Sequence, residues 1–179
     1  MFKHAVSELK EAILCLRAGQ VTLGYPFEPH SPEPGFRGLL FLDPDKCIGC
    51  GACANACPAR LISVEDQDGH RTLDFVLARC TYCARCRDVC PQQALAMSEQ
   101  FETATSSPED LRITIKLRLV RCRECGAVVG TQRQLNRVLN ELPSQLGLPP
   151  EKMDWLDLCL SCKRTRALRE GVLTVEVRA

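Results

Sequence analysis

Four cysteines, Cys47, Cys50, Cys53 and Cys57, recur thirty-three residues later as Cys80, Cys83, Cys86 and Cys90, and Pro58 recurs as Pro91 at the same offset. Each copy reads C-x-x-C-x-x-C-x-x-x-C-P, and nothing else in the 179 residues narrows the folding problem so far. A chain this short buries proportionally little surface, so covalent or metal staples are expected to supply stability. There are 13 cysteines, and all but Cys15 stand in C-x-x-C groupings. Disulfides need an oxidising compartment. Residues 1–20 hold no apolar stretch closed by a small-residue cleavage site, so they do not read as a secretory leader. Metal ligation in a reducing cytoplasm is the expectation.

The repeated run matches that of bacterial two-cluster ferredoxins. The match implies two [4Fe–4S] clusters with crossed ligands. Cluster one takes Cys47, Cys50, Cys53 and Cys90, and cluster two takes Cys80, Cys83, Cys86 and Cys57. Three cysteines two residues apart can wrap three iron corners of one cubane, while the fourth reaches the other cluster. Two zinc sites are the competing reading, but zinc uses two separated C-x-x-C pairs rather than a four-cysteine run. Two adjacent clusters suit electron transfer better than a purely structural role. The loops differ, with Gly49, Gly51 and Ala52 in the first and Arg85 and Arg87 in the second. Positive charge favours the reduced cluster, so cluster two is expected at the higher potential.

Two further pairs, Cys122 with Cys125 and Cys159 with Cys162, have the spacing of a closed tetrahedral four-thiolate site. Zinc is expected there, with iron the alternative. Gly126 suits a tight knuckle. The flanking Arg121, Arg123, Lys163, Arg164, Arg166 and Arg169 allow a nucleic-acid reading. Docking to an acidic protein surface is preferred, and no nucleic-acid partner is expected. Cys15 reads as a bystander, and His4, His30 and His70 are isolated. No nucleophile–base pair or phosphate loop is evident, so no catalytic residue is assigned.

The chain divides into five segments. Residues 1–19 form an amphipathic helix, with Phe2, Ala5, Val6, Leu9, Ala12, Ile13 and Leu16 on one face. That face could dock on protein or lie on a membrane surface. Residues 20–38 are a proline-rich arm. Residues 39–100 are the two-cluster domain, with strands over 61–65 and 71–76 around the turn Asp66–Gly69. Residues 101–110 are a polar linker. Residues 111–179 are the four-cysteine module, with a strictly alternating strand over 111–120, a helix over 131–142 and a strand over 172–178. Residues 1–110 carry 10 Lys/Arg and 15 Asp/Glu, and residues 111–179 carry 13 and 7, so −5 and +6 give the net +1. The expected class is α+β, with a zinc-ribbon or rubredoxin-like C-terminal module. No apolar run reaches the ~20 residues of a membrane span.

Tyr25-Pro26-Phe27-Glu28-Pro29, then Gly35-Phe36-Arg37-Gly38, then the two cysteine runs, resemble the two-cluster ferredoxin-like subunit of respiratory complex I and of related membrane-bound [NiFe] hydrogenases. The C-terminal pairs, continuing as Cys162-Lys163-Arg164, look like the corresponding subunit of formate hydrogenlyase and hydrogenase-4-type complexes. The resemblance implies a peripheral arm on the cytoplasmic face of the cell membrane. Its partners would be the [NiFe] hydrogenase large and small subunits, another iron–sulfur subunit and membrane-domain subunits. It also raises the membrane-proximal reading of residues 2–18. A complex I-like quinone oxidoreductase and a free ferredoxin fused to a zinc module are the alternatives.

Overall fold

The computed structural model describes residues 2–19, 22, 24–28, 30–146 and 153–170. It is a mixed helix-and-sheet fold in two compact units, Met1–Phe36 and Arg37–Ala179. In the first unit α1 spans Phe2–Ala18, where the apolar recurrence predicts it. Gly19 ends the helix at φ 63°, its N–H donating to the Cys15 carbonyl at 3.2 Å, the left-handed stop that glycine permits. Val6, Leu9, Ile13 and Leu16 of the apolar face are exposed. The proline-rich stretch turns where the Gly24 carbonyl accepts the N–H groups of Phe27 and Glu28.

The second unit runs β1 (Leu40–Leu42), α2 (Ala52–Ala56), β2 (Ile62–Gln67), β3 (His70–Val76), α3 (Arg85–Asp88) and β4 (Leu95–Met97). It continues through β5 (Arg112–Arg121), β6 (Val128–Thr131), α4 (Gln132–Leu146) and α5 (Leu160–Arg169). β1 and β4 pair antiparallel, Leu40 opposite Met97. A four-stranded sheet has the order β2-β3-β5-β6. The β2–β3 hairpin turns on Asp68 and Gly69, both at positive φ, which matches the twist of the flanking strands.

β5 behaves as its alternation predicts. Ile115, Leu117 and Leu119 are buried, while Arg112, Thr114, Lys116 and Arg118 face out. Its partner is β3, with Leu73 opposite Ile115 and His70 opposite Arg118. The segments on either side of residues 101–110 therefore share one sheet. Asp74 on β3 accepts from the Arg112 guanidinium at 2.7 Å and from the Thr114 hydroxyl at 2.8 Å across that pairing. Leu73 and Phe75 are almost wholly buried with Leu42, Leu61, Leu95 and Leu117. Burial of such side chains contributes roughly 1.5–3 kcal/mol each.

α4 begins at a reciprocal cap. The Thr131 hydroxyl accepts the N–H of Gln134 at 3.2 Å, and the Gln134 side chain accepts the N–H of Thr131 at 2.9 Å. That is the T-x-x-Q capping box, which satisfies helix-start donors. The strand expected over 172–178 lies outside the described residues.

Candidate metal centres

The cysteine repeat is also a backbone repeat. Gly49 and Tyr82 have φ 69° and 53°, Gly51 and Ala84 have 78° and 63°, and Arg60 and Gln93 have 47° and 49°. Every pair keeps the offset of the cysteines. A left-handed conformation costs a non-glycine residue roughly 1–2 kcal/mol, so the fold must impose it at Tyr82, Ala84 and Gln93. The turn brings amide groups to sulfur. The Tyr82 N–H donates to Cys80 Sγ at 3.4 Å, and the Gly49 N–H bonds the Cys47 sulfur in the same way. Gly51 and Ala84 then start α2 and α3. The sequence shows this conformation in the first loop, where it is written in glycine, and hides it in the second.

Cys47, Cys50, Cys53 and Cys90 line one cavity, walled by Leu73 and Phe75. Cys90 comes from the end of the second run, yet it sits with three cysteines of the first. Cys47 and Cys53 are buried and Cys50 is exposed. Burial pushes the Cys47 thiol up, and the Cys53 thiol up to about 12. Thiols so reluctant to ionise become thiolates only when a metal centre holds the charge, which suits a cluster cradle.

Cys86 lies beside both Cys80 and Cys83. Burial raises the Cys86 thiol, and the nearby Cys80 and Cys83 raise it further. The Ala94 N–H donates to Cys90 Sγ at 3.3 Å. Cys57 is half-buried against the core and borders a surface depression with Cys50, Asn55, Arg60 and Arg71.

Three arginines outside the cysteine runs grip their loops. Arg71 donates to the Gly49 carbonyl at 3.1 Å while Asp66 holds its other nitrogens at 2.7 Å. Arg133 at the start of α4 donates to the carbonyls of Pro44, of Asp45 at 3.5 Å and of Cys47 at 3.0 Å. Arg37 of the Phe-Arg-Gly lead-in donates to the Cys83 carbonyl at 3.4 Å. Its neighbour Gly38 has no room for a side chain, because a Cβ would collide with the Gln100 carbonyl. Arg87, expected to enrich the second loop in charge, is paired with Asp88 at 2.8 Å. Positive charge is thus spread over both loops, and Arg85 and Arg87 alone do not rank the two potentials.

The third group assembles as its spacing predicts. The sulfurs of Cys122, Cys125, Cys159 and Cys162 all lie within 4.8 Å of one another, with Cys125 and Cys159 at 3.5 Å. A tetrahedral ion with ~2.3 Å bonds to sulfur needs sulfurs about 3.8 Å apart, so the four fit one ion. Gly126, at φ 75°, closes the first knuckle with its N–H on the Cys122 carbonyl at 2.9 Å. Hydrogen bonding from Ser161 holds the Cys159 thiol down to about 6, and the adjacent Cys159 pushes the Cys162 thiol up. α5 carries Cys162 at its start. Two cations of the basic flank are paired with carboxylates on the spot. Arg166 reaches Asp154 at 2.9 Å and Glu170 at 2.7 Å, Arg123 lies 3.5 Å from Asp154, and Lys163 stacks over Trp155. Cys15 on α1 is exposed, and His70 bonds its own turn at Asp68.

Residues 46–94 match the 4Fe-4S dicluster domain family. Formate hydrogenlyase subunit 6 of Escherichia coli K12 is 36% identical over 156 residues, 86% of this chain and 87% of that protein. NADH-quinone oxidoreductase subunit I 2 of Geobacter metallireducens is 35% identical over 130 residues, 67% of this chain and 98% of that protein. A chain in the structure of an archaeal membrane-bound sulfane sulfur reductase is 36% identical, with a TM-score of 0.42 over 56% of each chain. No helix among the described residues is long and apolar enough to cross a membrane.

Proposed function

The chain belongs to the two-cluster ferredoxin-like subunits that include formate hydrogenlyase subunit 6, and on that premise we propose that it relays electrons in the peripheral arm of a formate-linked, membrane-associated [NiFe] hydrogenase. It is an electron-transfer iron–sulfur subunit of a membrane-bound complex. The cavity lined by Cys47, Cys50, Cys53 and Cys90 supports crossed ligation and so the electron relay, while the similarity to formate hydrogenlyase subunit 6 supports the choice of complex. Cys80, Cys83, Cys86 and Cys57 would hold the second cluster. When bound, [4Fe–4S] clusters supply one-electron redox chemistry over a range set by charge, hydrogen bonds to sulfur and exposure.

The chain's own residues set those terms. Leu73 and Phe75 keep water from the first cavity. Gly49 and Tyr82 turn amides onto sulfur. Exposed Cys50 brings the first site to the surface, where a partner's redox centre can approach. Cys122, Cys125, Cys159 and Cys162 hold one zinc, with a rubredoxin-type iron the alternative. Closed four-sulfur zinc is structural, so in this reading the third site braces the fold. The partners are the hydrogenase large and small subunits, a second iron–sulfur subunit and membrane-domain subunits, on the cytoplasmic face.

Purification of the tagged chain from its native host tests the reading. Expected are copurifying hydrogenase subunits, about eight iron and one zinc per chain, and two cluster signals in EPR that hydrogen reduces. A stable, partner-free monomer would sink it. Copurification with quinone-reductase subunits, with no response to hydrogen, would select the complex I-like alternative that the Geobacter relative supports.

A further inference from the structure

The four-cysteine module does more than share a sheet with the two-cluster domain. Its β6–α4 corner sits directly on the first cysteine loop. Thr131, wholly buried, donates its hydroxyl to the Ile48 carbonyl at 2.5 Å. A Cβ on Gly49 would lie 2.6 Å from Leu117 and 3.0 Å from Thr131, so loop and corner are in close contact. Two residues along α4, the Arg133 guanidinium takes the carbonyls of Pro44, Asp45 and Cys47. All three contacts are made by one nitrogen, Nη1, and the guanidinium that carries it is always charged. These contacts are to neutral oxygens, so they fix the charge without cancelling it. Arg71, which reaches the same loop from β3, differs: Asp66 takes two of its nitrogens.

We propose that Arg133 is a positioning and tuning residue for the first cluster: it locks the loop that presents Cys47 and holds a positive charge that raises the cluster's reduction potential. Reduction adds one electron to the cluster and makes it more negative. A cation fixed beside it stabilises the reduced form more than the oxidised form, and partial burial weakens solvent screening. The C-terminal module is thus an electrostatic part of the electron path, whatever metal its own cysteines hold. The inference rests on the assignment of Cys47, Cys50, Cys53 and Cys90 to one cluster.

The test is redox-titrated EPR on the purified intact complex, comparing wild type with Arg133→Gln and Arg133→Lys, with iron measured on each. In Arg133→Gln the reduction equilibrium of one cluster should fall about tenfold, ~59 mV for one electron. The other cluster should not move. Arg133→Lys keeps a charge on a more flexible, more strongly hydrated stem, and should fall in the same direction by less. Full iron with both potentials unchanged in the Gln variant overturns the tuning role. If that variant loses iron, Arg133→Lys decides: iron restored, with one potential at or slightly below wild type, supports a role for the charge, and iron lost in the Lys variant as well overturns it. Wild type that holds single ions instead of clusters would defeat the cluster assignment itself, a result distinct from either.

Discussion

Thr131 donates its hydroxyl to the carbonyl of Ile48, joining the start of α4 to the loop between the first two cysteines across 83 residues of sequence. The same hydroxyl accepts the Gln134 amide, so one buried side chain closes a cysteine loop and caps a helix.

Replacing Thr131 by Val keeps the shape and removes both bonds. A buried acceptor left without its donor costs about 1–3 kcal/mol, and a lost cap costs about 1 kcal/mol. Thr131→Val should lower the urea midpoint and speed iron release from the purified protein, while Thr131→Ser keeps the hydroxyl and most of the stability. Equal behaviour of the Val and Ser variants would remove the hydroxyl's role.

Gly49→Ala should be costly for two separate reasons. Its φ of 69° disfavours any Cβ, and that Cβ would meet Leu117 at 2.6 Å. Overpacking adds roughly 1–3 kcal/mol to a backbone cost of about 1–2 kcal/mol. Gly69→Ala is the control, because φ is 75° there but nothing lies within 4 Å. Denaturant midpoints of the two variants should differ by the packing part alone.

The repeat makes an opposite prediction at its other end. Gln93 is exposed and held at φ 49°, the counterpart of Arg60. Glycine adopts that conformation freely, so Gln93→Gly should stabilise the protein by about 0.5–1 kcal/mol, after allowing for its looser unfolded chain. Thermal unfolding measures this, and a lower midpoint would mean the Gln93 side chain makes a contact that outweighs the strain.

Which of these features the sequence displays follows from how local they are. The cysteine runs, the alternation of β5, the Asp68-Gly69 turn and the apolar spacing of α4 are written in neighbouring residues, and each is where it was expected. Thr131 and Gln134 spell a capping box in adjacent sequence, and the box forms. The pairing of β3 with β5 is not local: Leu73 meets Ile115 only once the chain has folded. The grip of Arg133 on Cys47 is equally remote, and an arginine on a polar helix looks like a solvated one. The left-handed turn at Tyr82 and Ala84 is hidden for another reason, since those residues normally avoid it.

Asp74 gives the pairing of β3 with β5 a pH dependence. The Arg112 guanidinium beside it, with help from the Thr114 hydroxyl, holds its carboxyl below the usual carboxylate range. A carboxyl depressed in the folded state stabilises it above the unfolded pKa near 4, and that contribution is lost as pH falls through the lower folded value. The difference in unfolding midpoint between wild type and Asp74→Asn should therefore be constant near neutrality and shrink below about pH 4. A difference that persists undiminished at lower pH would show that the charge contributes nothing.

The third site separates bracing from conduction. Cys122 follows β5 directly, while Cys159 and Cys162 belong to a segment also held by buried Met153, Leu156 and Leu158 and by the Arg123 and Arg166 ion pairs to Asp154. Cys162→Ser should therefore lose the third metal while the segment stays docked. Iron should remain at about eight per chain, with both cluster signals intact, because none of the eight repeat cysteines is touched. Electron flow from hydrogen through the complex should persist with a lowered thermal midpoint. Loss of electron flow with eight iron retained would instead make the four-cysteine site a redox station, which a closed zinc site cannot be.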